Sequence, residues 1–349
     1  MESRRIAMIF SNGNAQSALE DRGCLRFRPF SASFIAHMQH MGYRSEQSFP
    51  DCQFSYRSKD ELLFLLECTR KYNFMCGENL MVSLANEGSK KSSLWLKVCQ
   101  MECRVRNSDV LAVIVDRLFE NHIQPIVNAA EEIIGYEFLL RPSSKMRAFN
   151  PLELFARARE SGLHSSLDQA ARLAAIETSA RHLPQGVKRF INFLPSSVEH
   201  PYRRLNDTFK KIEQLALDTR DFVFEVVETE RIRHIAHLQH IFEVCRGQGI
   251  SMALDDVGAG FSSVEEMSRL QPDYVKIDRS IVNGCRNDAH KQRQIRDIIR
   301  RAIDFGGKVL VEGVERREDF EFCLDSGAVL AQGYLFGRPQ KPLEMQGLH

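Results

Sequence analysis

From Ile123 onward, short apolar runs alternate with longer amphipathic stretches, and that alternation restricts the fold more than any other feature of the chain. The runs are IQPIV, IIGYEFLL, KRFINFL, FVFEVVE, SMALDD, DYVKID, KVLVEG and GAVLAQGYLF. Between most of them lie helical patterns such as LDQAARLAAIETSARHL and HKQRQIRDIIRRAIDFG. Strands alternating with helices indicate a mainly parallel sheet, because parallel neighbours need a long crossover between them. About eight strands in roughly 225 residues fit a closed (β/α) barrel. The first two runs break the pattern. Too few residues separate IQPIV from IIGYEFLL for a crossover, so these two should pair as a hairpin. The expected fold class is therefore α/β, a modified TIM barrel with an antiparallel first strand pair.

In such a barrel, side chains at the carboxyl ends of the strands converge on one mouth, where chemistry is done. Those positions are strongly biased here. Glu137 and Arg141 lie on IIGYEFLLR, Asn192 closes KRFIN, Glu225 and Glu228 close FVFEVVE, and Asp255 and Asp256 close SMALDD. Lys276 and Asp278 follow in DYVKID, Glu312 and Glu315 in LVEGVE, and Gln332 in LAQGY. Acid and amide oxygens dominate and no His or Cys is among them, so the implied cation is hard: Mg2+ or Mn2+, with Ca2+ as an alternative. The carboxylates exceed what one magnesium usually takes from protein. Two ions bridged by an aspartate would use them, an arrangement suited to activating water for an in-line phosphoryl displacement. Adjacent strand residues point to opposite faces, so Asp255 and Asp256 can both reach such a pair only where the strand ends and the backbone turns. Gly258 and Gly260 are expected to supply that turn.

Composition narrows the function class. The chain has 349 residues, 43% of them apolar and 27% charged, with a formal net charge of +1. This is the ordinary soluble globular range, and it gives no global electrostatic case for a nucleic-acid polymer or an anionic membrane. No apolar stretch approaches the roughly 18 residues of a membrane span, and MESRRIAMIFSNGNAQ lacks a signal-peptide core. A cytoplasmic location is expected. The nine cysteines are scattered without a CxxC pair. Cys99 and Cys103, four apart, are expected to be buried reduced thiols.

Residues 1–107 carry periodic segments but no motif tied to chemistry, and are expected to form an accessory or regulatory region, α+β in character. ELLFLLECTRKY reads as a helix; NLMVSLAN and LWLKV read as strands. SDVLAVIVDRLFENH, with Ser108 as its N-cap, reads as a helix opening a second domain over 108–349.

With these residues in place, the stretch from about Gln124 to Pro339 resembles the EAL domain family of cyclic di-GMP phosphodiesterases. The family's namesake triplet stands here as Glu137-Phe138-Leu139 within GYEFLLRP, and the other matches are EVVE, LDDVGAGFSS, DYVKIDRS, VEGVE and QGYLFGRP. The resemblance implies a Mg2+- or Mn2+-dependent hydrolase, using two ions, that opens cyclic di-GMP to linear pGpG in bacterial second-messenger signalling. It implies Glu137, Asn192, Glu225, Asp255 and Glu312 as metal ligands, Asp256 as a partner of the second ion, and Lys276 as the residue that orients or deprotonates the attacking water. Glu137, Glu312 and Gln332 join Lys276 in the catalytic set. Arg141 and Asp278 fall on the substrate side, Glu228 and Glu315 support the glycine loop, and a homodimer is implied. Phe138 replaces the family's usual alanine, and Val257, Ala259 and Phe261 replace its usual Phe, Thr and Tyr.

Two other readings stay open. EAL domains that have lost catalysis serve as cyclic di-GMP receptors or interaction modules, and a metal-dependent barrel could act on another phosphate or carboxylate substrate. His234, His237 and His240, three apart, read as a solvated helix edge, since tetrahedral sites draw ligands from separate elements. The basic run Lys291 to Arg301 reads as the polar face of an outer helix.

Overall fold

The computed structural model describes residues 22–48, 51–77, 79–85, 95–144, 149–195, 201–226, 235–259 and 264–342. They fall into two compact units. The first holds the described residues up to Leu118, with Phe149–His164. Its elements are β1 (Gly23–Arg28), α1 (Ala32–His40), β2 (Ser45–Ser48), β3 (Asp51–Tyr56), α2 (Lys59–Cys76), β4 (Met81–Ala85), β5 (Leu96–Lys97), α3 (Val98–Arg106), α4 (Ser108–Val115) and α5 (Pro151–Glu160). The strands form one antiparallel sheet in the order β2-β3-β1-β4-β5. Phe27, Phe34 and Phe54 meet at its centre, with ring centroids 5.1 to 6.0 Å apart. The α2 helix starts where Ser58 accepts from the Glu61 N–H, while the Glu61 carboxylate accepts from the Arg57 N–H at 2.7 Å. It stops at Gly77, in the left-handed region at φ 67°.

Four local expectations fail here. LWLKV is extended only over Leu96–Lys97, because Val98, Met101 and Val105 are spaced for a helix and bury one face of α3. The helix expected from Ser108 to His122 ends at Val115, and Arg117 follows at φ 47°. Over Phe119–Ile123 the burial alternates with a period of two, the signature of a strand. Ser108 is not the cap: Asn107 holds that position, and the Ser108 hydroxyl accepts from Lys59 Nζ at 2.7 Å. Cys99 is exposed and Cys103 half-buried, because the buried face of α3 belongs to the other stripe; all nine cysteines are free thiols.

The second unit is the barrel, formed by Phe119–Ala148 and the chain from Ser165. Its strands are β6 (Phe119–Asn128), β7 (Ile133–Pro142), β8 (Lys188–Phe193), β9 (Phe222–Val226), β10 (Ser251–Val257), β11 (Tyr274–Ile277), β12 (Lys308–Val311) and β13 (Leu330–Gln332). Between them run α6 (His164–His182), α7 (Pro201–Gln214), α8 (Ile235–Gly247), α9 (Val264–Leu270), α10 (Arg279–Val282), α11 (Ala289–Asp304) and α12 (Arg317–Asp325). The eight strands close on themselves, and β6 runs antiparallel to both its neighbours, β7 and β13, while every other pair is parallel. The hairpin expected from the short IQPIV–IIGYEFLL connection is thus present.

Two apolar layers hold this unit. The larger lies between strands and helices and includes Ile191, Phe193, Phe224, Leu254, Val275 and Val311. The smaller fills the barrel: Ile126, Phe190, Val223, Ala253, Tyr274, Leu310 and Leu330. At the foot of the barrel the buried Arg189 pairs with Asp221 at 2.9 Å and donates to the carbonyls of Val187, Leu183 and Pro184. Among the described residues no helix is long and apolar enough to cross a membrane.

Candidate active site

The inner apolar layer sets the site's position by simple alternation. Side chains two residues apart on a strand share a face, so each residue two beyond the inner layer also points inward, one step nearer the mouth. On six parallel strands that step runs from Phe190 to Asn192, Val223 to Glu225, Ala253 to Asp255, Tyr274 to Lys276, Leu310 to Glu312, and Leu330 to Gln332. On β7 it runs from Gly135 to Glu137. Gly135 is needed there, since a Cβ would lie 2.7 Å from Lys188 Cβ on β8. Because β6 runs the other way, its inward polar residue precedes the apolar one: Gln124 stands two before Ile126. Sequence reasoning missed Gln124 for that reason, and reading the hairpin backwards from Ile126 would have found it.

These side chains converge. Lys276 Nζ lies 2.7 Å from Glu312, 2.8 Å from Glu225, 3.0 Å from Asp255 and 3.9 Å from Glu137. Gln332 Nε2 donates to Glu137 at 2.6 Å and to Gln124 Oε1 at 3.0 Å, and Gln124 in turn donates to the Gly337 carbonyl. Carboxylate oxygens of Asp255, Asp256 and Glu312 lie within 4.8 Å of one another. At an effective dielectric of about 20, unit charges that close repel by about 3.5 kcal/mol.

The adjacent aspartates share this face through a β-bulge. Between β10 and β11 the register passes from Leu254↔Val275 to Val257↔Ile277, so Asp255 and Asp256 together stand opposite the single residue Lys276. Asp256 takes φ 51°, the left-handed region that Asp tolerates better than most residues. The turn therefore begins at the aspartates themselves, two residues earlier than the glycines suggested. Gly258 continues it at φ 95°, where a Cβ would sit 2.3 Å from Ile281 Cδ1; Gly260 lies outside the described residues.

Burial and mutual repulsion govern the titration of this ring. Burial pushes the Glu225 and Glu312 carboxyls well above the usual range; the Lys276 charge opposes that, and neighbouring carboxylates add to it. Asp256 is pushed up to about 6, by burial first and then by Asp255. Burial would lower Lys276, but Asp255, Glu137, Glu225 and Glu312 outweigh it and hold the ammonium well above its ordinary value.

The residues fit a pair of divalent cations on two counts. Glu137, Glu225, Asp255, Asp256 and Glu312 carry five negative charges when ionised against one from Lys276, leaving four, which two divalent ions would balance. The ammonium contacts lack hydrogen-bond alignment, so both Glu225 oxygens and Lys276 Nζ are buried without a hydrogen-bond partner, as is Gln332 Oε1. Oxygen donors of this kind suit a hard cation.

The remaining expected residues are placed less centrally. Asn192 is half-buried and registers with Glu225. Arg141, four residues beyond Glu137 on β7, donates to the Leu140 carbonyl at 2.8 Å and stays apart from the carboxylate ring. Asp278 caps α10 by accepting from the Ser280 N–H at 2.9 Å, and its charge contributes to raising Asp256. Glu315 is exposed. Glu228 lies outside the described residues, as do Phe261 and His234. Phe138 points away from the site into the outer apolar layer, so its bulk does not touch the ring. Among the described residues neither His237 nor His240 joins a cluster of potential ligands; His240 lies 3.6 Å from Glu243 on α8. The basic run on α11 is its outer face, opposite the buried Ile295, Ile298 and Ile299.

Residues 108–339 match the EAL domain family. The chain is similar to the probable cyclic di-GMP phosphodiesterase PdeG of Escherichia coli, 28% identical over 223 residues, which are 62% of this chain and 43% of that protein. It is similar to the cyclic di-GMP phosphodiesterase NbdA of Pseudomonas aeruginosa, 28% identical over 64% of this chain and 29% of NbdA. Among solved structures, a standalone EAL protein from Vibrio cholerae with c-di-GMP bound superposes with a TM-score of 0.58 at 28% identity, over 64% of this chain and 92% of that one. The matched stretch thus spans less than half of either curated relative.

Proposed function

The chain belongs to the EAL domain family, and we propose that it is a cyclic di-GMP-specific phosphodiesterase producing linear pGpG. The convergence of Glu137, Glu225, Asp255 and Glu312 on one buried ammonium, with Asp256 and Gln332 adjoining, carries this reading. A mouth so charged needs cations, and the family's substrate is a phosphodiester.

Glu137, Asn192, Glu225, Asp255 and Glu312 would hold Mg2+ or Mn2+, with Asp256 sharing a second ion. When bound, such a pair supplies charge neutralisation at the phosphoryl oxygens and an acidified water. The chain's own residues do the rest. Water forms the new bond to phosphorus and gives up a proton to solvent, the bond from phosphorus to the 3′ oxygen breaks, and that oxygen takes up a proton from solvent. Lys276, which lies within 3.0 Å of Glu225, Asp255 and Glu312, orients the attacking water or helps to deprotonate it. Gln332 fixes Glu137 through its 2.6 Å hydrogen bond. Arg141, with its planar fork, anchors a substrate phosphate, and Asp278 joins it in binding substrate. Glu228 and Glu315 brace the glycine loop. The reading extends to a cytoplasmic homodimer in which residues 1–107 tune the activity of 108–349.

Purified protein incubated with cyclic di-GMP and Mg2+ or Mn2+ should release pGpG, and both chelator and Glu137→Ala should abolish release. Tight binding without product would make the chain a receptor. Neither binding nor product would refute the substrate.

A further inference from the structure

This inference rests on the metal-dependent reading above. Asn192 is the uncharged member of the proposed ligand set, so Coulomb attraction aims it less than its neighbours, and the end of β8 must be held by other means. The ladder between β8 and β9 ends at Phe193↔Val226. The next backbone N–H, that of Leu194, donates to Asp168 Oδ1 on α6 at 3.1 Å. The other Asp168 oxygen accepts from Arg172 Nη1 at 2.5 Å, and the two residues are 3% and 2% exposed respectively. Arg172 Nε donates to Thr208 Oγ1 on α7 at 3.1 Å, and its guanidinium carbon lies 5.2 Å from the centroid of the Phe193 ring. One buried ion pair therefore grips the two residues that follow Asn192, from outside the barrel.

A buried ion pair is a poor way to gain stability, because well-packed apolar side chains of the same volume do as well or better. What it adds is direction. A charged acceptor fixes the Leu194 N–H, and a flat cation fixes the Phe193 ring, so the intervening strand end cannot rotate. We propose that Asp168 and Arg172 are positioning residues for Asn192, holding its amide toward the carboxylate ring and thereby setting the affinity for divalent cations.

The test uses the full chain, Mn2+ as probe, calorimetric titration for Kd and thermal unfolding in chelator for stability. In Asp168→Leu/Arg172→Met, unfolding is expected within a few degrees of the parent, whereas the Mn2+ Kd rises about tenfold or more, the usual effect of removing a ligand's support. In an Asn192→Ala background the same pair of changes should alter Kd less than about twofold, because the ligand it acts through is gone. If the apolar pair prevents folding, Arg172→Lys replaces it. Lysine keeps the charge but cannot both bond Thr208 and lie flat against Phe193, so Kd should weaken severalfold with Asn192 present and not without it. An unchanged Kd, or equal weakening in both backgrounds, overturns the proposal. A parent chain that binds no Mn2+ overturns the metal-dependent reading and this proposal with it, while a parent that binds and a variant that binds equally overturns the positioning role alone.

Discussion

Lys276→Met should make the stability of the barrel depend more strongly on divalent ions. Methionine keeps an apolar stem of similar length and removes the charge that Glu225, Asp255 and Glu312 approach within 3.0 Å. Removing one partner of a buried ion pair typically costs about 3–5 kcal/mol. Glu225 and Glu312, already raised by burial, can offset part of this by taking protons, which places the loss near the lower end, about 3 kcal/mol. For a unit of about 215 residues each kcal/mol moves Tm by about 2–4 °C, so in chelator the barrel should melt about 6–12 °C below the parent. The single tryptophan, Trp95, belongs to the first unit, so the barrel's transition is followed by calorimetry instead of tryptophan emission. Mn2+ should then raise Tm more in the variant than in the parent, because no ammonium competes for the same oxygens. Equal stability in chelator, or equal stabilisation of both by Mn2+, would refute the role of Lys276 as an internal counter-ion.

Asp256→Gly should relieve both the left-handed backbone at φ 51° and a like charge, raising the metal-free Tm by a few degrees while weakening Mn2+ binding; a lower Tm would count against strain at the bulge. Asp221→Ala leaves the Arg189 guanidinium, 0% exposed, without its carboxylate, and should cost about 3–5 kcal/mol in denaturant unfolding without altering the mouth. Under native conditions at pH 8 a thiol reagent should modify the exposed Cys76 and Cys99 quickly and spare Cys52 and Cys245, whose thiols burial pushes up to about 12. Rapid labelling of Cys245 would show that the packing between α8 and the barrel opens readily.

The barrel was legible because period-two and helical patterns alternate over most of its length, and because its polar residues fall at strand ends on a common face. Glu137, Glu225, Asp255, Lys276, Glu312 and Gln332 could be named from that rule alone. Gln124 could not, since on an antiparallel strand the rule inverts. The bulge at Asp255 and Asp256 depends on register against β11, a long-range property that local spacing does not carry. The start of β6 is hidden because VLAVIVDRLFENHI keeps apolar residues at helical spacing across Asp116 and Arg117, while the positive φ of Arg117 divides helix from strand. The sheet of the first unit was half hidden, as β1 and β3 mix polar residues such as Arg26 and Gln53 into their runs.

The plug formed by Ile126, Phe190, Val223, Tyr274, Leu310 and Leu330 makes the barrel a blind well. Whatever enters must depart by the way it came. On the proposed phosphodiesterase reading, a linear dinucleotide left in place would bar the next cyclic one, so accumulating product should slow the reaction as a competitor for the same opening.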